Sequence, residues 1–169
     1  GYIHLLGAML SPFAIVWFVL ISDSPRAVVG SAIFGTSLLL VYSLSASHHL
    51  LRWGGLRRLD HAAIYIFIAG TFTPFTLMVL SNAWGIPVLS VVWSLAGIGA
   101  VQSLIFFDVS RWLRMLSYLS LGWIALIPAA ELWQSLPFSA FALLLLGGAT
   151  YSLGGLVYGM RRPDPFPRV

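Results

Sequence analysis

Two short stretches carry most of the side chains able to do chemistry: SLSASHHLL, Ser43 to Leu51, and RRLDHAAIY, Arg57 to Tyr65. Ser45 and His49 are four residues apart, so a helix sets them on one face. The connection between the stretches returns the chain to the same level, which brings Asp60 to a similar depth. A serine, a histidine and a carboxylate can therefore converge. Imidazole and carboxylate suit zinc, and a catalytic zinc needs at least three protein ligands. Each residue also has a plainer reading. His49 at a helix end reads equally as an interfacial polar side chain. Asp60 reads as the N-cap of the next helix, its carboxylate taking the amides of Ala62 and Ala63. His48 points elsewhere around the helix and reads as interfacial, and His61 as a loop residue. His4 is either a buried hydrogen-bonding residue or a further member of the site.

The elements that position these residues follow from composition. Of 169 residues, 59% are hydrophobic and only 8% charged, whereas a soluble domain carries about a quarter charged residues. Such a chain cannot cover a water-facing surface, so its outer surface faces lipid. The net charge of +4 comes from nine basic residues, all arginine. They lie in short gaps between apolar runs, a pattern of membrane orientation and not of a phosphate-binding face, which excludes nucleic acid as a partner. With no cysteine, disulfides and thiolate metal sites are excluded as well. The first apolar run has no basic region before it and no small-residue cleavage pattern after it, so it does not read as a signal peptide.

A helix needs about 20 apolar residues to cross the hydrocarbon core. Six predominantly apolar runs serve, at about 2–22, 27–51, 60–80, 84–107, 112–130 and 137–160. The fifth is short, with Trp112 and Trp133 as anchors at the two interfaces, and Glu131 to Pro137 reads as a turn. The runs are continuous and do not alternate at period two, which favours helices over a barrel. The expected fold is all-α: one polytopic transmembrane helix bundle over residues 1–169. Thr71, Thr73 and Pro74 predict a kink in which threonine hydroxyls bond the freed carbonyls. Gly147, Gly148, Gly154 and Gly155 predict close helix packing.

At these residues the chain resembles the hemolysin III family, part of the progestin and adipoQ receptor superfamily. The resemblance rests on S-x-x-x-H at Ser45 to His49 and on LDHAAIYIFIAGTFTPF from Leu59 to Phe75. Gly122-Trp123 and YSLGGLVYGMRRP from Tyr151 to Pro163 also fit, in the expected order. One departure is His48, which stands where the family usually has an aromatic residue. The resemblance implies seven helices, a cytoplasmic amino terminus and a zinc ion near the cytoplasmic side. It implies that His49 is a direct zinc ligand, that Asp60 holds the zinc-bound water and that Ser45 is a neighbouring polar residue. Two further histidines would come from an H-x-x-x-H pair on a seventh helix, expected to follow Val169.

Three functions fit that resemblance. The first is a zinc-dependent, ceramidase-like hydrolase of lipid amide bonds, with membrane lipids as its partners. The second is a metal-stabilised receptor or regulator without turnover, and the third a membrane-lytic protein. The expected location is a bacterial plasma membrane, crossed several times. Eight arginines (52, 57, 58, 111, 114, 161, 162 and 168) follow the second, fourth and sixth runs, and only Arg26 lies on the other side. Over short loops this bias predicts that the eight-arginine side is cytoplasmic. Single cysteines placed at Arg57 or Arg111 should therefore resist an impermeant thiol reagent added to intact cells, and a cysteine at Ala83 should react. Labelling at 57 or 111 but not at 83 would reverse the orientation.

Overall fold

The computed structural model describes residues 1–51, 53–106 and 109–160, and among them every regular element is helical. Helix α1 is Tyr2–Leu20, α2 Pro25–Leu51, α3 Gly54–Met78 and α4 Asn82–Ile105. Helix α5 is Arg111–Trp123, α6 Ala129–Ser135 and α7 Phe138–Met160, with a single 3₁₀ turn, Ile124–Leu126, after α5. Long apolar runs become helices because lipid offers no partner for backbone N–H and C=O groups, and a helix pairs them within the segment. Five of the helices, α1 to α4 and α7, are long and apolar enough to cross a membrane, or six if the bent α5–α6 pair makes one span. The protein is an all-α polytopic membrane bundle.

The chain forms two compact units, Gly1–Phe107 and Asp108–Val169. In the first, α1 packs on α2, α2 on α3, and α3 on α4. Helix α3 is the central element: 44% of its apolar window is buried, against 6% in α1 and 28% in α4. Its buried positions Ala62, Ala63, Ala69 and Gly70 are small, which lets neighbouring backbones come close. Gly30 of α2 lies against the backbone of α3, where an added Cβ would sit 2.9 Å from Pro74 Cα. On the other side of α3, a Cβ at Gly99 of α4 would run into the Tyr65 ring. The turn from α1 to α2 closes with Ser24 Oγ accepting from the Ala27 amide at 3.2 Å, with Pro25 in the first helical position, where a missing N–H costs nothing.

In the second unit, Ser110 caps α5 by accepting from the Leu113 amide at 3.2 Å. The Arg111 guanidinium lies over the Tyr158 ring of α7, 5.3 Å from its centroid, in the range of a cation–π contact.

Several sequence expectations change here. Helix α3 starts at Gly54 with Trp53 as its N-cap, six residues before Asp60. Arg57, Arg58, Asp60 and His61 are therefore helical and not in a loop, and Asp60 is not an N-cap. The span expected at 112–130 is broken: α5 has 13 residues, about 20 Å at 1.5 Å per residue, and the chain bends 53° before α6. The turn expected at Glu131 to Pro137 is largely occupied by α6. In α3, Pro74 removes the donor that would reach the Gly70 carbonyl. The threonines bond other carbonyls instead, Thr71 to Ile68 at 2.6 Å and Thr73 to Ala69 at 2.9 Å. Of the four glycines expected to permit close packing, Gly147, Gly148 and Gly154 meet no described neighbour within 4 Å, while Gly155 faces Leu119.

The Gly30 contact gives a direct test. Gly30→Leu must push α2 away from the α3 backbone, because Pro74 Cα cannot move like a side-chain tip. It should destabilise the protein by about 1–3 kcal/mol, read as a lower midpoint of thermal unfolding in detergent. Gly97→Leu, in the same bundle with nothing within 4 Å, should leave the midpoint unchanged or raised. Equal midpoints for the two variants would refute the packing.

Candidate functional site

The seam between α1 and α2 has a readable register. On α1 the contact face runs His4, Gly7, Ser11, Ile15, at helical spacings of three and four. On α2 it runs Gly35, Tyr42, His49, at spacings of seven. Gly7 faces the Tyr42 ring and Gly35 faces Ile15, with Ser11 between them only 1% exposed. This register delivers His4, in the first turn of α1, onto His49, in the last turn of α2. Their ring centroids are 5.2 Å apart with 33° between the planes, and Tyr42 backs His4 at 6.3 Å.

The seam between α2 and α3 is built the same way. Gly30 meets Pro74, Ser37 meets Gly70, and Phe34 meets Phe67 at 6.2 Å between centroids. On α3 the residues facing α2 are Phe67, Gly70 and Pro74, and continuing their spacing of three and four toward the start of the helix reaches Ala63 and Asp60. The Asp60 carboxylate is near enough to the His49 imidazole to act on it electrostatically, as His4 and His48 also are.

The predicted residues thus gather at one end of the first unit, with different exposures. Ser45 is buried, Asp60 half-buried and His49 exposed. His48 adjoins His49 at 5.1 Å between ring centroids, and its Nδ1 is buried without a hydrogen-bond partner, as is that of His4. His61 is half-buried on α3. At the same end Arg58 donates from Nη1 to the Leu104 carbonyl at 3.3 Å. That carbonyl is among the last of α4, where the helix dipole favours a cation. The opposite end is tied by Arg26, which donates to Asn82 Oδ1 at 3.1 Å.

Among the described residues no three of His, Cys, Asp or Glu come close enough together to hold a metal ion. What does come together is the His4–His49 imidazole pair on the α1–α2 seam, while the Asp60 carboxylate stands on the neighbouring α3 helix at the same end. Imidazole nitrogens can bind a transition metal, and the carboxylate can orient a water and accept its proton.

An open apolar pocket of about 330 Å³ lies along α2, α3 and α4, lined by Ala32, Ile33, Thr36, Ser37, Leu40, Ile66 and Trp93. The Trp93 indole is held by donating from Nε1 to Thr73 Oγ1 at 3.2 Å. Sequence reasoning missed this pocket and left His4 undecided. The heptad spacing of Gly35, Tyr42 and His49, matched to His4 and Gly7, was the signal that could have found the histidine pair.

With this geometry in hand, comparison with known proteins adds kinship. A family model described as "Haemolysin-III related" matches residues 1–169. The chain is 38% identical over 164 residues to the Hemolysin-3 homolog of Bacillus subtilis (strain 168), covering 92% of this chain and 76% of that protein. It is 35% identical over 164 residues to Hemolysin-3 of Bacillus cereus, covering 92% of this chain and 74% of that protein. No solved structure matches it significantly.

Proposed function

We propose a function from one premise: the chain belongs to the Haemolysin-III related family and is an integral, multi-pass membrane protein. On our reading it holds one zinc ion near the cytoplasmic face of a bacterial plasma membrane and hydrolyses an amide bond in a membrane lipid. The observation that carries this reading is the gathering of polar side chains at one end of the first unit, where the α2 and α3 ends bearing His49 and Asp60 lie side by side and the His4 ring packs on His49 at 5.2 Å between centroids.

The donor set fits zinc in kind, being imidazole and carboxylate, and the buried Nδ1 atoms of His4 and His48 lack hydrogen-bond partners. It falls short in number, since a catalytic site takes at least three protein ligands and no three candidates converge among the described residues. The reading therefore needs further donors, and the family resemblance attributes two imidazoles to a further membrane-spanning helix beyond those described. Zinc held at such a site would polarise an amide carbonyl and make its bound water more acidic.

The chain's own residues have distinct tasks on this reading. His49 offers a ring nitrogen. Asp60 hydrogen-bonds a water and takes its proton at a carboxylate oxygen. Ser45, buried one turn below His49, hydrogen-bonds the polar end of the substrate. The open apolar pocket lined by Leu40, Ile66 and Trp93 supports a lipid substrate, since its walls suit an acyl chain. A metal-braced receptor or regulator without turnover is the second reading, favoured by the shortage of convergent donors. A lytic role, suggested by the relatives' names, has less support, because no described span carries a charged stripe suited to line a pore.

Metal analysis and a lipid-amide assay on the purified protein separate these roles. His49→Ala should lose most of the zinc. Asp60→Asn should retain much of it and lose turnover by about 100-fold or more, because an amide can bond the water but cannot accept its proton. Ser45→Ala should do less than either. Full zinc occupancy in His49→Ala would refute the ligand assignment. Unchanged hydrolysis in Asp60→Asn, or no cleavage of lipid amides by zinc-loaded protein, would leave the receptor reading in its place.

A further inference from the structure

We infer that the amino-terminal end of α5 binds the phosphate of an anionic membrane lipid, with Arg114 as the residue that recognises it. The inference stands apart from the zinc reading and uses none of its residues.

It starts from a charge in a costly place. Arg114 is only 7% exposed, and a buried charge is expensive unless it is paired. Its one hydrogen bond among the described residues runs from Nη2 to the Val109 carbonyl at 3.4 Å. That is a long bond to a neutral acceptor, and it leaves most of the guanidinium's five donors unused. Neither α5 nor α7 carries an aspartate or glutamate, and Glu131 lies past the far end of α5. Two further effects act in the same direction. Ser110 is the N-cap of α5, so Arg111 and Arg114 both sit in its first turn, where the positive end of the helix dipole repels cations. Three residues apart, they are also like-charged neighbours on one helix. Burial, dipole and mutual repulsion all oppose this arrangement, and one bound anion offsets all three.

The local geometry shows where that anion sits. The bond to Val109, the residue before the N-cap, folds the Arg114 side chain back over the start of the helix. There Ser110 Oγ accepts from the Leu113 amide at 3.2 Å, while the amides of Arg111 and Trp112 have no intrahelical acceptor. Amides at a helix start, beside a guanidinium able to make two parallel bonds, match the oxygens of a phosphate. Arg111 is held at the same end by the Tyr158 ring, 5.3 Å from its centroid. Trp112 is exposed, as suits an indole in the headgroup layer. A lipid is the occupant because the arginine bias puts this end on the cytoplasmic side, where the leaflet is anionic. Membrane orientation alone accounts for arginines on this side, but it calls for exposed ones and gives no reason to bury Arg114.

Arg114→Gln removes the charge and keeps a polar side chain. Thermal unfolding of the purified full-length protein would be followed in detergent alone, then with short-chain phosphatidylglycerol, phosphatidylcholine of the same chains, or inorganic phosphate. Affinities come from the dependence of the midpoint on lipid concentration. In the wild type, phosphatidylglycerol should raise the midpoint well above the effect of the other two. Arg114→Gln should match or exceed the wild-type midpoint in detergent alone, because an uncompensated buried charge is gone. Its affinity for phosphatidylglycerol should fall by about tenfold or more. Arg57→Gln, which removes an exposed arginine on the same side, should keep the wild-type affinity. Equal losses in the two variants would reduce the effect to general attraction by the leaflet and overturn the inference. So would a wild-type midpoint that ignores phosphatidylglycerol, or one raised equally by phosphatidylcholine or inorganic phosphate. A lower midpoint for Arg114→Gln in detergent alone, or a variant that does not fold, would show the arginine paired within the protein and overturn it too. None of these outcomes bears on zinc content, so the zinc reading stands or falls separately.

Discussion

Helices surrounded by lipid gain little by turning apolar side chains toward each other, because the lipid is as apolar as the neighbour. What holds this bundle together is the close approach of backbones at small residues. Gly30 against Pro74, Gly70 against Ser37 and Gly99 against Tyr65 fix α2, α3 and α4 side by side, and Gly7 and Gly35 fix α1 on α2. These contacts allow few other registers. A slip of one turn, about 5.4 Å, would carry His49 past His4 and Asp60 past the end of α2. The polar corner therefore depends on glycines most of which lie well away from it.

Much of the fold was legible in the sequence, for a physical reason. An uncharged run of some 20 residues has few options other than to span, so α1, α2, α4 and α7 fall close to the expected runs. Chain breaks were harder. Nothing charged separates α5 from α6, and the bend is carried by the 3₁₀ turn and Pro128 inside an apolar stretch. The start of α3 was placed too late because Arg57, Arg58 and Asp60 look like loop residues by charge alone. A helix can begin in the aqueous layer and enter the membrane a turn or two later, and Arg58 uses that position to reach the last carbonyls of α4.

At the site, the placing of His49 and Asp60 at the same end of the first unit could be anticipated because a short connection forces the two helix ends to one level. The partnership of His4 with His49 could not be assigned so simply. It depends on which face of α1 meets which face of α2, and that is decided by small residues spread along both helices, from Gly7 one turn from His4 to Gly35 about four turns from His49. The pocket beside Trp93 is still less local, since its walls come from three helices. Kinship with the Haemolysin-III related family identifies the kind of protein. The proposed chemistry rests on the side chains at one end of the first unit.

The central claim is that imidazole from this end of the bundle binds zinc. X-ray absorption at the zinc edge of purified full-length protein tests it most directly, because it counts histidine ligands without needing a substrate. The account predicts nitrogen or oxygen neighbours at about 2.0–2.1 Å, with the outer-shell scattering of two or more imidazole rings, reduced in intensity when His49 is replaced by alanine. A protein purified without zinc and unable to take it up, or a zinc signal with no imidazole scattering, would contradict it.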